Sequence, residues 1–102
     1  FQDWKVIATR GHTDSDLSFY NEIEQTCYVA DTLIKLKKGF SKPYPIHHPE
    51  DYRQSLQKLA LLPIQKFLLA HSGIHRIESH ELERIISTVA DEPRTHRSLV
   101  LI

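Results

Sequence analysis

Between residues 13 and 39, apolar side chains recur at intervals of three and four residues, a spacing typical of one face of a helix. Thr13 and Asp16 have the spacing of a capping box at the start of this segment. Lysines precede Gly39, where cations and a left-handed glycine favour a helix end. The pattern therefore predicts one long helix over residues 13–39. Its core stripe comprises Phe19, Tyr20, Ile23, Cys27, Ala30 and Ile34.

The second half of this predicted helix is apolar on more than one side. Tyr28, Val29 and Leu36 fall off the core stripe, and Leu33 flanks it. Such a helix is either central in a bundle and covered from two directions, or it contacts a partner with its extra apolar side chains. The sequence therefore predicts a partner-binding surface made of Tyr28, Val29, Leu33 and Leu36.

Proline, serine and glycine positions divide the rest of the chain. Residues 1–9 are typical of a short strand or a lead-in helix, and residues 40–48 of an extended proline-containing loop. Pro49, Pro63 and Ser79 are start signals for three further helices, and residues 94–102 form either a fifth helix or a strand. The predicted fold class is all-α or mainly α, a compact bundle of four to five helices with short terminal strands as an option.

Composition limits the classes of protein that this chain can be. At 102 residues it is predicted to form one helical domain, residues 1–102. Its 13 basic and 13 acidic residues balance, which argues against a strongly electrostatic nucleic-acid or membrane binder. The single cysteine, Cys27, excludes an internal disulfide and is predicted to be a small buried hydrophobe.

Three absences predict the context of the chain. No apolar run approaches the ~20 residues of a membrane span, and no signal peptide is visible, so we expect an intracellular, cytoplasmic protein. The chain contains no methionine. We therefore expect that it was excised from a longer protein, whose flanking regions could hold catalytic residues.

Histidine is the one unusual component, with seven in the chain. His71, His75 and His80 lie within ten residues, and the first two have the i,i+4 spacing that places two imidazoles on one helix face. Gly73 lies between them and weakens that geometry. A metal site made of His71, His75 and His80 is one alternative function, although the main interpretation includes no metal and no cofactor.

The last third of the chain has the outline of a helix-turn-helix, a second alternative. Predicted helices over residues 63–71 and 79–87 are followed by a third that opens at Pro93. In that arrangement the third helix is the recognition helix, whose first residues meet bases and phosphates. The candidate nucleic-acid-binding residues are Arg76, Arg84, Arg94, Thr95, His96 and Arg97.

The sequence contains no motif that indicates catalysis. Its three glycines form no phosphate-binding loop, and none flanks a serine as a nucleophile elbow requires. The main prediction is therefore a non-catalytic protein–protein interaction module, a regulatory domain or adaptor that uses apolar helix faces. Its expected partner is another protein, another domain of the same chain or a second copy, with nucleic acid less favoured and a membrane excluded.

Overall fold

The computed structural model describes residues 3–89, which form seven strands and two helices. Most of the described chain lies in strands and the turns between them, so the protein is mainly β. The strands are β1 (Trp4–Ala8), β2 (Leu17–Asn21), β3 (Thr26–Ala30), β4 (Ile34–Leu36), β5 (Gly39–Ser41), β6 (Lys66–Leu69) and β7 (Gly73–His75). The helices are α1 (Pro49–Ala60) and α2 (Ser79–Val89).

Five strands form one mixed sheet in the order β1-β2-β3-β6-β7, and β4 and β5 form a separate hairpin. The pairings β1–β2, β2–β3 and β6–β7 are antiparallel, whereas β3 and β6 are parallel. The parallel pair is possible because the β4–β5 hairpin and α1 return the chain to the edge at which β3 began. As a consequence, β1, β3 and β6 all run in the same direction.

The predicted helix over residues 13–39 is wrong, and with it the predicted helical bundle. This segment forms β2, β3 and β4. Its apolar residues also alternate, and β3 (TCYVA) is rich in the β-branched and aromatic types that favour strands. Thr13 and Asp16 do pair, since Asp16 Oδ2 accepts from the Thr13 amide at 2.6 Å, but they close a turn before β2 and cap no helix.

Other predicted elements have mixed outcomes. The helices starting at Pro49 and Ser79 are confirmed as α1 and α2, and of the two alternatives for residues 1–9 the structure has the strand, β1. The predicted helix over residues 63–71 is wrong, because this stretch contains β6. The predicted fifth element over residues 94–102 lies outside the described residues.

Both helices cover the same face of the sheet. Leu56 and Leu59 of α1 and Ile85 of α2 belong to one buried cluster with Cys27 of β3 and Phe67 of β6. Register explains this shared face, because Cys27 pairs with Phe67 and their side chains therefore point to the same side. The prediction that Cys27 is buried is confirmed.

The opposite face of the sheet is not covered by either helix. A row of apolar side chains crosses it, one from each strand, at mutually paired positions. The row consists of Val6, Phe19, Tyr28, Leu68 and Ile74. Its two ends, Val6 and Ile74, are the most open to solvent.

No helix among residues 3–89 is long and apolar enough to cross a membrane.

Candidate functional site

Three chemically reactive side chains follow three strands of the same direction. His12 lies in the loop after β1, Asp31 directly follows β3, and His71 lies two residues after β6. The carboxyl ends of strands that run in the same direction meet at one edge of a sheet. The topology therefore places His12, Asp31 and His71 along one edge, which we call the carboxyl edge.

Asp31 and His71 are in contact at this edge. Oδ1 of Asp31 lies 3.2 Å from Nε2 of His71, and both side chains are open to solvent. The contact depends on the parallel pairing of β3 with β6, where Ala30 lies opposite Leu69 and the Ala70 amide donates to the Ala30 carbonyl at 3.1 Å. An imidazole and a carboxylate are thus held together by main-chain pairing between segments that are 40 residues apart in sequence.

His12 is oriented by the proline-containing loop. Its Nδ1 lies 2.7 Å from the carbonyl oxygen of Pro45. Because a carbonyl can only accept, Nδ1 carries the proton, and Nε2 of the neutral ring keeps its lone pair. A histidine whose second nitrogen is held by a backbone carbonyl is a common arrangement among metal ligands.

Helix α1 fixes the loop that contains His12. The Gly11 carbonyl accepts from the His48 amide at 2.8 Å, and Ser55 Oγ donates to the Arg10 carbonyl at 2.8 Å. The backbone of Gly11, which has a φ of +147°, lies directly against Tyr52. A Cβ atom at position 11 would be only 2.3 Å from the Cα of Tyr52, so no side chain fits there. The main chain around His12 is therefore tightly positioned.

Tyr52 also joins this loop to the one that contains Asp31. Its hydroxyl donates to the Thr32 carbonyl at 2.6 Å, and its side chain is completely buried. Burial raises the pKa of Tyr52, so the hydroxyl stays protonated as a donor. One side chain thus touches the residue before His12 and the residue after Asp31.

A second acid–histidine pair lies beside the first loop. Asp14 accepts from Nε2 of His48, the residue that precedes α1. This hydrogen bond, together with the charge of His48, lowers the pKa of Asp14 below its usual value. The pair ties residues 12–14 to the start of α1 and leaves both groups engaged with each other.

The carboxyl edge does not by itself form a complete metal centre. Two imidazoles and a carboxylate are suitable ligands for zinc or iron. Within the described residues, however, no three His, Cys, Asp or Glu side chains gather closely enough to hold a metal ion. Among the described residues, the Asp31–His71 pair therefore fits two ligands of a metal centre.

The predicted metal set is not brought together as a unit. His71 lies at the carboxyl edge, paired with Asp31. His75 lies in β7, where its Nε2 is 2.8 Å from the Ser72 carbonyl and its ring meets Phe40 edge-on. His80 lies in the first turn of α2, exposed to solvent. Metal binding by His75 and His80 stays a prediction.

The predicted partner-binding residues are distributed over the fold. Val29 and Leu33 are buried in the core beneath the helices. Tyr28 lies on the uncovered face of the sheet, where its ring is 6.3 Å from that of Phe19. Leu36 is exposed at the tip of the β4–β5 hairpin. They do not form one continuous surface.

The helix-turn-helix is wrong, because its first helix, residues 63–71, is replaced by β6 and the turn after it. Nε of Arg76 lies 3.7 Å from Oε1 of Glu78 in an ion pair. Arg84 on α2 donates a hydrogen bond to the Phe40 carbonyl at 2.8 Å. The other residues of that set lie outside the described part of the chain. They are Arg94, Thr95, His96 and Arg97.

His12 and Asp31 are absent from the residues predicted from sequence. Asp31 falls inside the predicted helix over residues 13–39, and His12 immediately precedes it, so the pattern indicated no strand end at either position. Asp31 directly follows an apolar run, Cys27 to Ala30, that is flanked by turn residues. A polar ligand type at the end of a buried strand was the signal that could have identified it.

Comparison with solved structures identifies the fold. A metallo-beta-lactamase superfamily protein from the archaeon Sulfolobus tokodaii aligns with a TM-score of 0.64 and 19% identity, over 83% of this chain and 32% of that one. A metallo-beta-lactamase family protein from Thermus thermophilus aligns with a TM-score of 0.65 and 24% identity, over 83% and 29%. A third protein, solved in a di-iron-bound form, aligns with a TM-score of 0.61 and 19% identity, over 83% and 42%.

These alignments also show how much of each relative is matched. The chain spans between 29% and 42% of the length of these solved structures. A comparison with curated proteins gives no significant match. The family model of the metallo-beta-lactamase superfamily matches residues 1–71, well over half of the 102 residues. This chain therefore belongs to the metallo-beta-lactamase superfamily.

Proposed function

We propose that this chain is part of a metal-dependent hydrolase, and that its carboxyl edge contributes to the active site. The proposal rests on one observation above all: the segment that matches the superfamily ends at His71, whose ring contacts Asp31. The match therefore includes the whole sheet edge at which His12, Asp31 and His71 lie.

The main prediction from sequence, a non-catalytic interaction module or adaptor, is wrong. Members of the metallo-beta-lactamase superfamily are typically hydrolytic enzymes, so the expectation that the chain is not enzymatic is overturned as well. Of the two alternatives, metal binding agrees with the family better than nucleic-acid binding does. The predicted helical bundle is overturned by the same matches.

We assign Asp31 and His71 as metal ligands, with His12 as a third ligand candidate from the same edge. The Asp31–His71 pair is open to solvent, so a metal ion has access to both side chains. The fixed tautomer of His12 directs a nitrogen lone pair away from Pro45. The pair alone supplies fewer ligands than the three or four protein ligands that zinc sites use.

Metal content and hydrolysis test this proposal together. Protein carrying residues 1–102 is loaded with Zn²⁺ or Fe²⁺, desalted and analysed for bound metal by mass spectrometry. The same samples are assayed on chromogenic β-lactam, ester and phosphodiester substrates. We expect bound metal and metal-dependent hydrolysis of one substrate class, both reduced at least tenfold by Asp31→Ala or His71→Ala.

Histidines elsewhere in the fold provide matched controls. His75→Ala and His80→Ala remove the same side chain from β7 and α2 and should leave metal content unchanged. If they reduce bound metal as much as His71→Ala does, the predicted set of His71, His75 and His80 is the better assignment. Absence of both bound metal and hydrolysis in the folded protein would contradict the proposed function.

A further inference from the structure

The turn that contains Asp31 has a backbone conformation that its sequence disfavours. Ala30, the residue before Asp31, has a φ of +50°, in the left-handed region that glycine adopts readily and most other residues avoid. The Thr32 amide donates to the Val29 carbonyl at 2.9 Å, so these residues close a tight turn with Ala30 in its second position. Turns with a positive φ at that position usually have glycine, asparagine or aspartate there. An alanine therefore places local backbone strain directly before Asp31.

The end of β3 is irregular at the same point. Tyr28 lies opposite Leu68 of β6. The next paired residue of β3 is Ala30, which lies opposite Leu69, so β3 has one extra residue at this point and forms a β-bulge. Since successive side chains of a regular strand point to opposite faces, an extra residue changes the direction of the side chains that follow. The bulge and the left-handed residue together set the direction in which Asp31 leaves the strand.

Two hydrogen bonds from outside the turn hold it in this conformation. The Ala30 carbonyl accepts from the Ala70 amide at 3.1 Å, and the Thr32 carbonyl accepts from the Tyr52 hydroxyl at 2.6 Å. Asp31 lies between these two carbonyls in the sequence. Thr32 and Tyr52 are almost completely buried, so loss of the hydroxyl would leave a buried carbonyl unsatisfied. Strained backbone persists only where its surroundings hold it firmly, and Tyr52 supplies that contact from α1.

We propose that Tyr52 is a positioning residue, whose hydroxyl keeps residues 29–32 in the strained turn so that the Asp31 carboxylate is held against His71. The inference rests on the proposed function, because Asp31 is one of the proposed metal ligands. A ligand that is already fixed in place binds more tightly than one that must be ordered during binding. Tyr52 acts on Asp31 through the main chain of Thr32.

Two substitutions separate the parts of this arrangement. Tyr52→Phe deletes the hydroxyl and keeps the aromatic ring that packs against Gly11. Ala30→Gly relieves the strain and allows the turn to adopt other conformations. Both variants should therefore release Asp31, although only the first removes a hydrogen bond.

The chain offers a matched control for each substitution. Tyr20 is a second buried tyrosine, and its hydroxyl has no hydrogen-bond partner among residues 3–89, so Tyr20→Phe removes the same atom without breaking a hydrogen bond. Gln25 has an almost identical φ of +52° in the turn between β2 and β3, at the opposite edge of the sheet. Gln25→Gly therefore makes the same kind of backbone change away from Asp31.

The first measurement uses the metal-free protein. Nuclear Overhauser effects between the ring protons of His71 and the β-protons of Asp31 should be present in the wild type, because Nε2 lies 3.2 Å from Oδ1. Tyr52→Phe and Ala30→Gly should lose most of this signal. Tyr20→Phe and Gln25→Gly should keep it.

The second measurement is the dissociation constant for Zn²⁺, obtained by calorimetric titration of the same proteins. Tyr52→Phe and Ala30→Gly should each weaken binding roughly tenfold, as loss of a supporting contact does for metal ligands, whereas the controls should bind as the wild type does. Melting temperatures distinguish positioning from stability. Ala30→Gly should melt near the wild-type temperature, because relief of strain offsets the greater freedom of glycine in the unfolded chain.

The two measurements separate this inference from the proposed function. A His71–Asp31 signal that is unchanged in Tyr52→Phe would overturn the positioning role, whether or not the protein binds Zn²⁺. Equal losses in the two control variants would overturn it too, since any loosening of the fold would then suffice. A wild type that shows the signal but binds no Zn²⁺ would contradict the proposed function, and the metal-free spectra would still decide whether Tyr52 positions Asp31.

Discussion

At the scale of single residues, Gly11 is the position where backbone conformation and packing restrict the sequence most. Its φ of +147° disfavours any side chain, and a Cβ there would lie 2.3 Å from the Cα of Tyr52. The neighbour is main chain in a helix and cannot rotate away. This contact sets the position of His12, the next residue.

We therefore predict that Gly11→Ala destabilises the protein by at least ~3 kcal/mol, because strain and overpacking add. Gly73→Ala is the control, since Gly73 also has a positive φ, +80°, but no atom within 4 Å of the added Cβ. It should cost only about 1 to 2 kcal/mol, the strain alone. Urea unfolding followed by circular dichroism measures both. Equal losses for the two variants would mean that Gly11 is not packed against α1.

The thiol of Cys27 is predicted to be unreactive in the native protein. The residue is fully buried, and burial raises the pKa of its thiol to about 12. At pH 8 the nucleophilic thiolate is therefore almost absent, and access is blocked as well. Ellman's reagent should react with it at least a hundredfold more slowly in buffer than in 6 M guanidinium. Rapid reaction without denaturant would place Cys27 at the surface and contradict the position of β3.

At the scale of elements, the sequence predicted α1, α2 and β1 because local signals there agreed with the final structure. Pro49 followed by two acidic residues starts α1, and Ser79 starts α2. The helix predicted over residues 13–39 is wrong because apolar spacings of three and four residues also occur when two short strands and a turn follow each other. The turn between β2 and β3, where Gln25 has a positive φ of 52°, contains no glycine that would have broken the predicted helix.

Val29 and Leu36 both fall in the helix predicted over residues 13–39, but in the structure we expect substitutions at these two positions to differ strongly in their effect on stability. Val29 lies in β3, which is paired on both sides, and is completely buried, whereas Leu36 is 51% exposed in the β4–β5 hairpin. Val29→Asp should unfold the protein, since burying an unpaired carboxylate costs more than ~4 kcal/mol. Leu36→Asp should change stability by less than ~0.5 kcal/mol. Thermal unfolding of both variants tests this, and comparable stability would contradict the burial of Val29 in β3.

At the scale of the whole molecule, the site could not be predicted because it is built from long-range pairing. His12, Asp31 and His71 are separated by 19 and 40 residues in the sequence, and they share an edge only because β1, β3 and β6 run in one direction. Sequence spacing placed His71 on a helix face with His75, whereas in the structure His71 follows β6 and lies beside Asp31. The directional relationship among strands appears only in the assembled sheet.

The central claim, that Asp31 and His71 bind a metal ion, is tested most directly by following the imidazole nitrogens during a Zn²⁺ titration by NMR. The chain has seven histidines, so each ring reports separately once assigned. We predict that the Nε2 resonance of His71 shifts first and saturates near one equivalent, while that of His80 does not move. Asp31→Ala should abolish the His71 shift. A His71 ring that stays unchanged, or a uniform shift of all the histidines, would contradict the claim.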